Sequence, residues 1–91
     1  MANVRHQLTN DDLIAALNSV GKKLMYRAEQ KGLGCMASNH EIYGIIRQET
    51  GEYEEAIHKR MPQHEKVEEL KDIAVAALFG IASIQSGGVD W

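Results

Sequence analysis

The sequence predicts an all-α protein. Apolar residues recur at helical spacing along three long stretches, and capping residues or a proline precede each of them. One proline, three tyrosines, one phenylalanine and one tryptophan in 91 residues are too few for a β-sandwich. Ala, Glu, Leu, Ile and Lys, all at home in helices, fill the rest. A chain of this length makes one small domain, read as 1–91 with loose ends at 1–8 and 86–91. Its own core is marginal.

Helix one is expected over 10–31. Thr9 or Asn10 caps it, and Asp11 and Asp12 suit the positive helix end. Leu13, Ala16, Leu17, Val20, Leu24 and Ala28 form its apolar stripe. Lys22, Lys23, Arg27 and Lys31 gather toward its C-terminal half, and Gly32-Leu33-Gly34 stops it. Helix two is expected over 38–60, capped by Ser38 or Asn39, with Glu41 in its first turn. It contains Gly44 and Gly51, each costing roughly 1 kcal/mol against alanine. Close approach of another backbone, or room for a ligand, is the expected compensation. Pro62 marks a tight turn, so helices two and three should be antiparallel neighbours.

Helix three is expected over 63–84. Its first half is charged, and its second, I-A-V-A-A-L-F-G-I-A-S-I, is nearly all apolar. A helix apolar all round must be covered all round. Two helices of the same short chain cannot do that. Self-association into a helical bundle is therefore expected, most simply as a homodimer.

The chemistry concentrates in Glu49–Asp72. Glu49 and Glu52 are followed, after sixteen residues, by Glu69 and Asp72. Carboxylates three residues apart share one face of a helix. Glu49 and Glu52 continue the stripe of Ile42, Ile45 and Ile46, whereas Glu55 lies in a polar strip with Gln48, Gly51, His58 and Lys59. Glu69 and Asp72 border the apolar face of helix three. Four acids facing one another in shelter repel and are costly to desolvate. A hard divalent cation bound by oxygen relieves both, with Mg²⁺ the first choice and Mn²⁺ possible. The alternative is that these acids are solvated and pair with Lys59, Lys66 and Lys71.

Glu49-x-x-Glu52, a sixteen-residue connection and Glu69-x-x-Asp72 resemble the signature of the MazG-like, all-α nucleoside triphosphate pyrophosphohydrolases. The likeness extends over about 41–84, including E-L-K-D-I-A-V-A-A-L-F-G-I-A. It implies that the four acids hold Mg²⁺ and are the catalytic residues. Water would attack the α-phosphorus of a nucleoside triphosphate, releasing the monophosphate and pyrophosphate, and so clear unwanted nucleotides. It also implies a homodimer or homotetramer. The family's first pair is often preceded by a further Glu. Here that position is Gln48, and an amide cannot take a proton from water. A non-catalytic helical oligomerisation or adaptor module is the alternative that Gln48 favours.

For the substrate, Lys59, Arg60, Lys71, Lys22 and Lys23 are candidate phosphate-neutralising cations, and Tyr53 is a candidate stacking group. One of the four acids, or Glu68, is the candidate to orient water. His40-Glu41 and His64-Glu65 fail the zinc-protease pattern, since Gly44 and Glu68 occupy its fifth position. Gly32-x-Gly34 is too short for a phosphate loop. Net charge −3, without a basic run, gives no reason to expect a nucleic-acid partner. The lone Cys35 fits a reducing cytoplasm. The first eight residues lack an apolar signal core, and Ile73–Ile84 is too short to span a bilayer. A cytoplasmic protein without membrane contact is expected.

Overall fold

A computed structural model describes residues 4–91; of the expected lead-in at 1–8, residues 1–3 lie outside the described residues. Three helices follow in order: α1 (Asn10–Lys31), α2 (Asn39–His58) and α3 (Gln63–Gln85). The described residues contain no strand. No helix among them is long and apolar enough to cross a membrane.

Each helix starts for a local reason. Thr9 caps α1 in a reciprocal box: its hydroxyl accepts from the Asp12 amide at 3.1 Å, and its own amide donates to the Asp12 carboxylate at 2.8 Å. Hydrogen bonding from the Thr9 amide, and then from its hydroxyl, holds the Asp12 carboxyl below its ordinary value. The buried Ser38 caps α2 by accepting from the Glu41 amide at 3.1 Å. Pro62 stands at the N-terminus of α3, where its missing N–H costs nothing.

The ends are equally local. Gly32, at φ 84°, closes α1 by donating to Ala28. Beyond α3, Gly87 (φ 81°) donates to the Ile84 carbonyl and Gly88 to that of Ser83. That pair of bonds satisfies two of the last carbonyls of the helix. The remaining tail is irregular, as expected, but it is tied down. The Asp90 amide donates to Ala37 at 3.0 Å, and the Trp91 carbonyl accepts from Asn39 at 2.6 Å. The Trp91 ring lies 4.8 Å from that of His40.

Helices α2 and α3 form an antiparallel hairpin. Ala56, Val75 and Ala76 make its buried centre. Ile42, near the start of α2, meets Gly80, near the end of α3, and a Cβ added at Gly80 would lie 2.8 Å from Ile42 Cγ2. Close approach therefore occurs at Gly80. Gly44 and Gly51 are exposed and face open space, so the compensation expected for them is absent within this chain.

Helix α1 packs against α3 alone and buries no residue fully. An open groove of about 840 Å³ runs between them, lined by Leu17, Val20, Leu24, Met25 and Leu78 among others. Leu13, Ile14 and Leu17 of α1, with Ile81 and Ile84 of α3, are exposed. The second half of α3 is thus uncovered in part, as its all-round apolarity requires of so short a chain.

Candidate metal centre

The antiparallel hairpin sets the two acidic pairs opposite each other. One carboxylate oxygen from each of Glu49, Glu52, Glu69 and Asp72 lies within 4.8 Å of the other three. Glu49, Glu69 and Asp72 are half-buried, and Glu52 is exposed. Among the described residues no other group of three or more Asp, Glu, His or Cys side chains is placed to hold an ion.

The electrostatics are those of an under-compensated cluster. Glu69 Oε2 is buried and has no hydrogen-bond partner. A buried carboxylate oxygen left so is costly, by about 1–3 kcal/mol or more. Burial first, then the neighbouring Asp72 and Glu52 charges, raise the Glu69 carboxyl above its ordinary 4.5. Glu49 is also raised: by burial, then by hydrogen bonding to Glu52, then by the charges of Glu52 and Asp72, with Arg27 opposing.

Two cations of α1 reach the cluster. Lys23 Nζ and Arg27 Nη2 each lie 2.8 Å from the same Oδ1 of Asp72. Four carboxylates therefore face two cations, and the two uncompensated negative charges match one divalent ion. The donor set is all oxygen, which suits Mg²⁺, Mn²⁺ or Ca²⁺. Oxygens on opposite sides of one ion lie about 4.2 Å apart for Mg²⁺ and about 4.6–5.2 Å for Ca²⁺. The observed 4.8 Å spread fits one ion with little adjustment.

Two recesses flank the acids. Glu49 and Asp72 open onto a cavity of about 390 Å³. Met36, Ile45, Val75 and Phe79 supply its apolar lining, and Arg27 and Lys31 of α1 border it too. Glu52 and Glu69 open instead onto a shallow cleft of about 190 Å³ that includes Glu55, Lys59 and Met61. Gln48 lines the larger cavity beside Glu49.

Comparison with protein-family models, with curated proteins and with solved structures gives no match. The chemistry of the site stands on its own geometry.

The other expected residues scatter. Lys59 pairs with Glu55 at 2.6 Å and borders the shallow cleft. Lys71 pairs with Glu68 at 2.8 Å. Arg60 is exposed in the interhelical turn with φ 53°. Tyr53 is half-buried and lines neither recess. Lys22 is exposed and borders the groove lined by Leu17, Leu24 and Leu78, which includes none of the four acids. Of the five cations named from sequence, only Lys23 touches one of the four acids. Arg27 and Lys31, whose place in the sequence suits the helix C-terminus, border the larger cavity as well. Their signal was there: Lys23, Arg27 and Lys31 recur every four residues, which places them on one helix face.

Proposed function

We propose that this chain is a divalent-metal-dependent hydrolase of the MazG-like kind that converts a (deoxy)nucleoside triphosphate to its monophosphate and pyrophosphate. The observation that carries the reading is the convergence of Glu49, Glu52, Glu69 and Asp72 around an unpartnered, buried Glu69 oxygen. An ion held there supplies charge neutralisation and Lewis acidity to a polyphosphate. The adjoining cavity supports the same reading. It is within the size range of small-molecule sites, and its lining joins apolar residues (Met36, Ile45, Val75 and Phe79) to polar ones (Arg27, Lys31, Glu41, Gln48 and two of the acids). The nucleoside would lie on the apolar residues, with the phosphates toward the acids.

In the reaction, a water oxygen bonds to the α-phosphorus and the bond from that phosphorus to the bridging oxygen breaks, so that pyrophosphate leaves. Of the nearby acids, Glu68 is the least suited to take the water's proton. Its two oxygens are engaged by Lys23 at 3.2 Å and Lys71 at 2.8 Å, and those bonds lower its proton affinity. Glu49, on the cavity lining, is better placed to face the attacking water.

The working form is a homo-oligomer, a dimer or tetramer, that covers the exposed stripe of α1 and α3. The alternative, a non-catalytic helical adaptor, draws on one observation: the cavity position beside Glu49 carries the amide of Gln48.

A pyrophosphate-release screen over ribo- and deoxyribonucleoside triphosphates with Mg²⁺ separates the two. Release at least tenfold above the Glu52→Gln and Asp72→Asn variants is expected for one or more substrates. Equal background from all three proteins would leave the adaptor.

A further inference from the structure

The basic face of α1 has a use beyond docking that helix. Lys23, Arg27 and Lys31 share one face, and the first two meet on a single oxygen of Asp72 at 2.8 Å each. Arg27 and Lys31 also border the cavity shared by Glu49 and Asp72. Asp72 cannot serve a divalent ion and two protein cations through one oxygen without repulsion between the cations and the ion. An ion on that carboxylate would compete with both cations for it. Lys23 would keep its second partner, Glu68, at 3.2 Å, and Arg27, on the cavity lining, would be free to meet the oxygens of a polyphosphate there. A planar guanidinium is well matched to two phosphate oxygens, and an ammonium to one.

We propose that Arg27, with Lys23 beside it, is the polyphosphate-receiving residue of this site, held on Asp72 until a divalent ion competes for that carboxylate. This rests on the metal-centre reading above and adds to it the part of the substrate that α1 recognises. In its consequences α1 is a clamp arm: metal binding frees Arg27, and the polyanion draws it back.

The two halves of the exchange carry opposite signs, which makes the test decisive. Isothermal titration of the full chain is run with Mg²⁺ alone and then with preformed Mg²⁺–tripolyphosphate, which has no base to recognise. For Arg27→Gln and Lys23→Gln, Mg²⁺ alone should bind equally or up to several-fold tighter, because a competitor for Asp72 is gone. Tripolyphosphate should bind at least tenfold more weakly. Arg27→Lys, which keeps the charge and loses the fork, should fall between and serves where a neutral variant does not fold. Unchanged tripolyphosphate affinity with intact Mg²⁺ binding overturns the clamp and leaves the metal centre standing. Parallel loss of both ligands in all three variants also overturns it, in favour of a purely structural pair. A wild-type chain that binds no Mg²⁺ overturns the metal centre, and the clamp with it.

Discussion

At the scale of single residues, the acid cluster is a store of unfavourable charge that an ion would release. Glu49 and Glu69 both bind protons more readily in the fold than the ordinary carboxylate value of 4.5 allows. The folded chain therefore holds more protons than the unfolded one above that value. Their contribution to stability is fully present below about pH 4.5 and is lost as pH climbs through their raised folded values. Glu68 works in the other direction, but its lowered value confines its effect to the acid side of 4.5. Lys23, raised above 10.5 by Asp72 and Glu68 against the opposing effect of burial, acts only at the alkaline end. In metal-free buffer the melting temperature should accordingly fall as pH is raised from about 5 toward 7. Mg²⁺ should reverse that slope, because its ligands must be deprotonated to bind. Glu69→Gln should flatten the metal-free slope and remove most of the Mg²⁺-induced stabilisation. A melting temperature indifferent to Mg²⁺ at millimolar concentration, at every pH, would show that the four acids tolerate one another unaided.

At the scale of helices, the contrast between glycines gives a second prediction. Gly51 lies in α2, exposed, with open space where a Cβ would go. Gly51→Ala should stabilise the chain by about 0.5–1 kcal/mol through helix propensity. Gly80→Ala gains the same propensity but drives a methyl against Ile42 Cγ2, which is stiff at its branched carbon. It should destabilise, and Ile42→Ala should relieve part of that loss in the double variant; denaturant titrations of the four proteins measure both. The pair also shows what a sequence can and cannot give. Helix limits were legible because they are local: Thr9, Ser38 and Pro62 act within four residues of themselves, and 10–31, 38–60 and 63–84 differ from the observed helices by two residues or fewer at any end. The meeting of Glu49 and Glu52 with Glu69 and Asp72 was legible because a short turn forces an antiparallel hairpin. The tight glycine was misplaced, since which of Gly44, Gly51 and Gly80 faces another helix depends on registry across the hairpin. The i, i+4 recurrence of Lys23, Arg27 and Lys31 puts them on one face of α1, but the reach of Arg27 to Asp72 depends on where α1 lies on α3, which that spacing does not encode.

At the scale of the whole molecule, one chain exposes too much surface. Its accessible area is 7259 Å², against ~5,300 Å² for a compact monomer of this mass. Its radius of gyration is 15.5 Å, against ~12 Å for a compact domain of this length. Part of the ~2,000 Å² excess belongs to the exposed residues 4–9, and part to apolar side chains of α1 and α3, among them Leu13, Ile14 and Leu17, the last 69% exposed, and Ile81 and Ile84. Light scattering after size-exclusion chromatography should give two or four times the 10.1 kDa chain mass. Leu17→Glu should return it to one and lower the melting temperature. Because α1 leans on α3 alone, a partner packed on its outer face would also fix where Lys23 and Arg27 sit. Leu17→Glu touches none of the four acids, yet it should cost at least tenfold in pyrophosphate release, recoverable in part at high protein concentration. A wild-type chain that runs as a monomer at micromolar concentration would break that link, and the exposed stripe would then need a different partner to cover it.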